Sequence, residues 1–251
     1  MKIQFIITGW YFNYDDLING LLQLKNENDI IDVYYSCHKD PPQFIKDNFK
    51  WKLYPNLGMG DGGFQQAMDD LTLEDNTICF FMQDDIIMKD WSFIEVCSEM
   101  LETYKFIGNC QNYASGFDPN RKLQNHGIFV KDCAKDSTRH LFDQPQNQKN
   151  IKTSFICCKY GDIKEIGFFE PMFHYPELIT PFYDESLKCF RTKNEKGLGG
   201  IGNTIQNMFN YKINKVFGHE SIAYLSDVYL DSKFMYECAR GGIDENRPPK
   251  L

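Results

Sequence analysis

Apolar positions in the first part of the chain switch between short unbroken runs and a helical spacing. Ile3 to Thr8 forms a strand-like run, Tyr14 to Lys25 sets Leu17, Leu21, Leu22 and Leu24 at helical intervals, and Ile30 to Tyr35 returns to a strand pattern. This β-α-β order predicts a parallel pair joined by a right-handed crossover. After Pro41-Pro42 the pattern predicts a short helix around Phe44 to Phe49 and a strand over Trp51 to Tyr54. Pro55-Asn-Leu-Gly-Met-Gly-Asp-Gly-Gly63 reads as a glycine-rich loop, followed by a helix from Phe64 to about Leu71. Trp91 to Tyr104 predicts an amphipathic helix with Phe93, Ile94, Val96, Cys97, Met100 and Leu101 largely on one side.

Between the last two helices lies Thr77-Ile-Cys-Phe-Phe-Met-Gln-Asp-Asp-Ile-Ile-Met88, where two carboxylates interrupt a segment otherwise fit for a protein interior. Ile78 to Met82 reads as a wholly apolar strand from the middle of a parallel sheet, which sets Asp84 and Asp85 at its end. Adjacent charges repel and lose hydration there, and a divalent cation satisfies both. Oxygen ligands suit Mg²⁺ or Mn²⁺, which usually keep waters and take further ligands from a diphosphate. The alternative is a solvated turn closing a strand. The glycine loop is open in the same way. It lacks both the dinucleotide and the P-loop spacing, so it is either a flexible connection or a close backbone approach to an anionic ligand at a helix start.

Composition narrows the classes. A chain of 251 residues with 42% hydrophobic content predicts one compact α/β domain. A net charge of -8 argues against a general nucleic-acid binder, which needs a basic surface. The nine cysteines contain no Cys-x-x-Cys pair and fall mostly in apolar runs, which reads as buried reduced thiols in a cytosolic compartment. Met1 to Phe12 is interrupted by Gln4 and Thr8 and carries no small-residue cleavage site, so it reads as the first strand rather than an export signal. No stretch is apolar for long enough to span a bilayer, so the expectation is a cytoplasmic protein with at most peripheral membrane contact.

The order of strand, helix, strand, Asn-x-Gly loop, helix and acid-tipped strand resembles the nucleotide-sugar half of GT-A glycosyltransferases, particularly the broad family 2. Asn56, Gly58, Gly60, Gly63 and Ala67 match its loop and helix, and Gln83-Asp84-Asp85 matches its acidic motif, with Gln83 in place of a frequent first aspartate. The resemblance implies a GT-A, Rossmann-like mixed central sheet with helices on both faces. It implies one domain over 1–251, with about 1–90 binding the nucleotide sugar and about 91–251 the acceptor. It makes Asp85 the metal ligand for Mn²⁺ or Mg²⁺ and puts Asp84 on the ribose or behind the metal through water. It also leaves Gln83 with hydrogen-bonding capacity for the nucleoside. Thr8 and Trp10, in the loop after the first strand, then lie beside the nucleobase, with His38 or Asp40 as a further contact.

The match extends to about Ile163-Lys-Glu-Ile-Gly-Phe-Phe-Glu170. In many relatives an acidic pair at the start of a later helix supplies the acceptor base. Here the corresponding helix, over 199–210, has Gly202-Asn203 in that place, so Asp184 or Glu185 of the preceding loop is the expected base and the stereochemical course stays open. His219, after a strand-like Lys215 to Phe217, corresponds to the late histidine that some of these enzymes add to the metal. The implied function is metal-dependent transfer of a sugar, from a UDP-sugar in the commonest case, to a glycan or glycoconjugate hydroxyl. The alternative is a non-catalytic GT-A-like domain that binds a nucleotide or glycan. A nucleotidyltransferase would ordinarily show a Gly-rich, Arg/Lys-bearing loop after the first strand, which Thr8 to Tyr14 is not. The abundance of Ile, Lys, Asn, Phe and Tyr is compatible with an AT-rich genome such as those of large DNA viruses.

Overall fold

The computed structural model describes residues 2–12, 15–56, 59–110, 149–169, 181–186, 189–192, 206, 208–226 and 231–237. The elements run β1 (Ile3–Gly9), α1 (Asp15–Glu27), β2 (Ile31–Cys37), α2 (Gln43–Asn48), β3 (Lys50–Leu53), α3 (Met59–Asp70), β4 (Ile78–Gln83), β5 (Ile86–Met88) and α4 (Phe93–Met100). They continue with β6 (Phe106–Cys110), β7 (Ile151–Lys159), α5 (Tyr160–Glu165), β8 (Pro181–Asp184), β9 (Cys189–Thr192), β10 (Ile222–Tyr224) and β11 (Met235–Glu237), with a further helix over 208–217.

A seven-stranded sheet in the order β10-β6-β7-β4-β1-β2-β3 forms the centre. β1 pairs in parallel with both β2 and β4, whereas β7 runs against both β4 and β6, so the sheet is mixed. Strands from both halves of the chain therefore share one sheet. The alternation of side chains along β4 divides its apolar residues between two faces. Cys79 and Phe81 pack with Phe64, Ala67 and Met68 of α3 and Met208 and Phe209 of the late helix. Ile78, Phe80 and Met82 pack with Leu17, Ile18 and Leu21 of α1, Ile45 of α2 and Phe93 and Cys97 of α4. A strand that is apolar on every residue is what a sheet covered on both faces requires. Phe80 stacks on Phe5 at 4.9 Å between centroids and meets Phe93 edge-on at 5.4 Å, and burying each such ring contributes about 1.5–3 kcal/mol.

Three boundaries differ from the sequence reading. α3 starts at Met59 rather than Phe64, inside the glycines. Lys215 to Phe217 is the end of a helix rather than a strand, because Asn210 fastens that helix to β7: its Oδ1 accepts from Ile151 N at 2.8 Å and its Nδ2 donates to Ile151 O at 2.9 Å. α4 begins at Phe93 because the Asp90 carboxylate accepts from Ser92 N at 2.9 Å and Ser92 Oγ at 2.8 Å, while the Trp91 ring occupies the space that Gly20 leaves on α1. Cys37, Cys79, Cys97, Cys157 and Cys158 are free and buried. No helix among the described residues is long and apolar enough to cross a membrane.

Candidate active site at the ends of the parallel strands

The carboxyl ends of β1, β2 and β4 share one edge of the sheet, since their registers pair Thr8 with both Ser36 and Gln83. In open α/β sheets this edge is where ligands bind. Asp84 and Asp85 form the turn between β4 and β5 there, and β5 leaves the main sheet to pair with β11. The turn is not solvated: Asp84 is 4% exposed and Asp85 8%.

The two acids differ in what surrounds them. Oδ2 of Asp84 accepts the backbone N–H groups of Trp10, Tyr11 and Phe12 at 2.8, 2.7 and 2.9 Å. Three successive amides converging on one anion form a nest. The reversal needs Phe12 at φ 51°, and Gly9 makes room for the returning Phe12 ring, which would lie 2.5 Å from a Cβ at that position. Burial lifts the Asp84 carboxyl to about 6, and the hydrogen bonds from Phe12, Trp10 and Tyr11 hold it from rising further. Asp84 is thus the anchor of the loop after β1, a role that the sequence reading, which placed it on a ribose or behind a metal, did not foresee. The Tyr11 phenol, at the mouth of this loop, is raised by burial and then by the charges of Asp85 and Asp84.

The first turn of α3 rests on the same strand ends. Thr8 Oγ1 donates to Gly60 O at 3.1 Å and Ser36 Oγ to Gly63 O at 2.7 Å. A Cβ at Gly60 would come within 2.4 Å of the Gln83 amide, and one at Gly63 within 2.9 Å of both His38 Nε2 and Thr8 Cγ2. These glycines let a helix sit directly on a shelf of polar side chains. Thr8 and Gly60, expected at the donor nucleotide, are committed to this packing, and Gln83 lies beneath it. His38, expected at the nucleobase, is 2% exposed under Gly63 with Nδ1 3.3 Å from Tyr54 O. Asp40 forms an ion pair with Lys46 at 2.9 Å. Trp10 and Asn56 are half-buried, and Gly58 lies outside the described residues.

Asp61, in that first turn, was not singled out from sequence. It is 4% exposed, its Oδ1 receives no hydrogen bond, and burial pushes its carboxyl up to about 7 against a hydrogen bond with Thr153. Its one signal in the sequence is an acid set among glycines, Gly60-Asp-Gly-Gly63.

The remaining expected contributors belong to later elements of the chain. His219 precedes β10, whose Ile222 pairs with Phe106, and Phe106 is level through Cys158 with Cys79 near the start of β4. This sets His219 toward the opposite end of the sheet from Asp85, on the order of 15 Å away at the rise of a strand. There it is largely exposed and lies 2.6 Å from Glu220. Its assignment to the metal is therefore corrected. Asp184 closes the turn of the β8–β9 hairpin, accepting from Ser186 N at 3.0 Å and Ser186 Oγ at 2.6 Å, and Glu185 beside it is exposed. The segment over 193–205, where the acidic pair of the resemblance is replaced, lies outside the described residues.

Among the described residues no three His, Cys, Asp or Glu side chains form a cluster that could hold a metal ion. With Oδ2 of Asp84 committed to the loop, the donor set does not fit an all-protein cage. It is compatible only with a hard ion held by one or two carboxylates and completed by water and substrate oxygens.

No family model matches the chain, and no curated protein is similar to it. Solved structures share its layout at a distance. A mannosyltransferase from Pyrobaculum calidifontis, solved with GDP-Man and Mn²⁺, is 11% identical over 67% of this chain and 47% of its own, with a TM-score of 0.39. Glucosyl-3-phosphoglycerate synthase from Mycobacterium tuberculosis, solved with Mn²⁺, UDP and phosphoglyceric acid, is 9% identical over 89% of this chain and 67% of its own, at 0.45. A putative glucose-1-phosphate thymidylyltransferase from Bacillus anthracis is 13% identical over 89% and 85%, at 0.42. The chain spans about half the length of the first of these. At such scores the likeness is one of coarse layout and carries no residue roles.

Proposed function

We propose that the protein is a metal-dependent glycosyltransferase of the GT-A type, moving a sugar from a nucleotide-diphosphate donor, a UDP-sugar in the commonest case, to a hydroxyl of a glycan or glycoconjugate. The observation that carries this reading is the buried acidic turn at the end of β4, on the ligand edge of the sheet, with the loop after β1 fastened to one of its two acids. Asp85 would hold Mn²⁺ or Mg²⁺. The ion, when bound, supplies charge neutralisation of the departing diphosphate.

The remaining roles follow from the chain itself. Asp84 holds the Trp10–Phe12 loop closed, which orients Trp10 and Tyr11 toward the donor. The shelf of Thr8, Ser36 and Gln83 fixes the first turn of α3 against the same edge. Loop and helix turn together would hold the donor in place and exclude water around it. The acceptor base is proposed to be Asp184 or Glu185 of the β8–β9 hairpin, and cytoplasmic action on soluble or membrane-surface glycans completes the reading.

The test is release of nucleoside diphosphate from a panel of nucleotide sugars with Mn²⁺. One donor should turn over, EDTA should stop it, and Asp85→Ala should lower it by about a hundredfold or more. Turnover that survives both treatments would remove Asp85 and the metal from the mechanism. Metal-dependent nucleotide binding without turnover, with any acceptor offered, would favour a binding domain instead.

A further inference from the structure

Asp61 is a carboxylate with a place and no adequate partner. Gly60, Gly62 and Gly63 flank it in the first turn of α3, and Gly60 lies on the Gln83 amide, so this turn touches the end of β4 directly. Its hydrogen-bonding neighbour is Thr153 on β7. The β4–β7 register pairs Met82 with Phe155, so Thr153, two residues further back along β7, stands beyond Gln83 at the level of the acidic turn. The Thr153 hydroxyl has one proton, for which Gln206 Oε1, 3.0 Å away, competes with this carboxylate. Oδ1 of Asp61 is left without a hydrogen-bond donor in a residue buried to 4% exposure. Such an orphaned acceptor is costly, and native proteins tolerate it mainly where another molecule completes it.

The chemistry of the missing partner is restricted. A phosphate or carboxylate would be repelled, and no cluster of metal-ligating side chains surrounds Asp61 among the described residues. A neutral O–H donor fits, because a carboxylate accepts hydroxyl protons in short, charge-assisted bonds. On the glycosyltransferase reading, on which this step rests, the hydroxyl-bearing group brought to this edge is the sugar of the donor.

We infer that Asp61 contacts a hydroxyl of the donor sugar and so determines which sugar the protein accepts. The nucleoside diphosphate, held from the Asp85 side, does not depend on it. A sugar that lacks the hydroxyl, or carries it in the other configuration, leaves Oδ1 unpaired and is rejected.

The test separates the sugar from the nucleotide. Calorimetry with Mn²⁺ compares UDP, UDP-glucose, UDP-galactose and GDP-mannose on the wild type, Asp61→Asn and Asp61→Ala, each checked for folding by thermal melting. Both variants should bind UDP as the wild type does. For the preferred nucleotide sugar their affinity should fall about 10- to 100-fold, and the spread between epimeric donors should narrow. Wild-type ranking in both variants, or an equal loss for UDP and for the nucleotide sugar, overturns the role of Asp61 while leaving the glycosyltransferase reading in place. Failure of the wild type to bind any of the four overturns both together.

Discussion

Asp84 and Asp61 lie at the same edge of the sheet and are equally buried, yet they are compensated differently. Both are 4% exposed, and burial is the largest influence on each. Asp84 receives three backbone amides and is lifted only to about 6, whereas Asp61 has one hydroxyl neighbour and is lifted to about 7. The difference separates two uses of a buried acid. A carboxylate whose oxygen is surrounded by the chain's own N–H groups organises the backbone, and one with an oxygen to spare is available to something else.

The largest expected effect concerns pH. A carboxyl raised from 3.8 to about 7 on folding disfavours the charged form in the native state. The unfolded chain then releases its proton first, so stability is full below about pH 4 and is lost as pH rises toward 7. At about 1.4 kcal/mol per unit this reaches up to about 4 kcal/mol by pH 8. Denaturant melts of Asp61→Asn should match the wild type near pH 4 and exceed it increasingly above that. Parallel curves across this range would show that Asp61 is not desolvated as described and would dissolve the contrast with Asp84.

Next is the anchor. Asp84→Ala leaves the amides of Trp10, Tyr11 and Phe12 without their acceptor and should lower unfolding free energy by about 2–4 kcal/mol, whereas Asp84→Asn keeps an acceptor and should cost about 1 kcal/mol or less. Amide hydrogen exchange at residues 10–12 should accelerate in the alanine variant. If exchange there stays at the wild-type rate, Asp84 is not what holds the loop.

The smallest effects test the shelf beneath α3. Gly63→Ala drives a methyl into the buried side chains of His38 and Thr8, and should destabilise by about 1–3 kcal/mol despite the better helix propensity of alanine. Gly60→Ala meets the end of the Gln83 amide, which can swing aside, and should cost under about 1 kcal/mol. The reverse ranking, measured by chemical denaturation, would mean that Gln83 is the rigid member of the shelf.

Much of the framework was legible from residues. The all-apolar Ile78 to Met82 run identified the central strand, because a strand buried on both faces has no polar side. The β-α-β order gave the parallel pairing, since so short a crossover through a helix allows little else. The glycines were seen but not their purpose: whether they approach a ligand or a neighbouring strand depends on what lies over them. His219 was misplaced for a related reason, as its position along the chain says nothing of which end of the sheet β10 starts from. Lys215 to Phe217 read as a strand because three residues carry no resolvable period, and Asn210, whose amide ties the helix to β7, acts through a partner some sixty positions away.

Local pattern and chemistry determined by themselves that this chain builds an α/β sheet with a pair of acids at a strand end, because apolar periodicity and the cost of burying charge are properties of neighbouring residues. Only the tertiary structure decided that Asp84 belongs to the loop after β1, and that Asp61 lies buried in the first turn of α3 against the same strand ends. Those assignments depend on which donors fold back within about 3 Å of a given oxygen, and hydrogen bonds are too short in range for their partners to be read from separation along a chain.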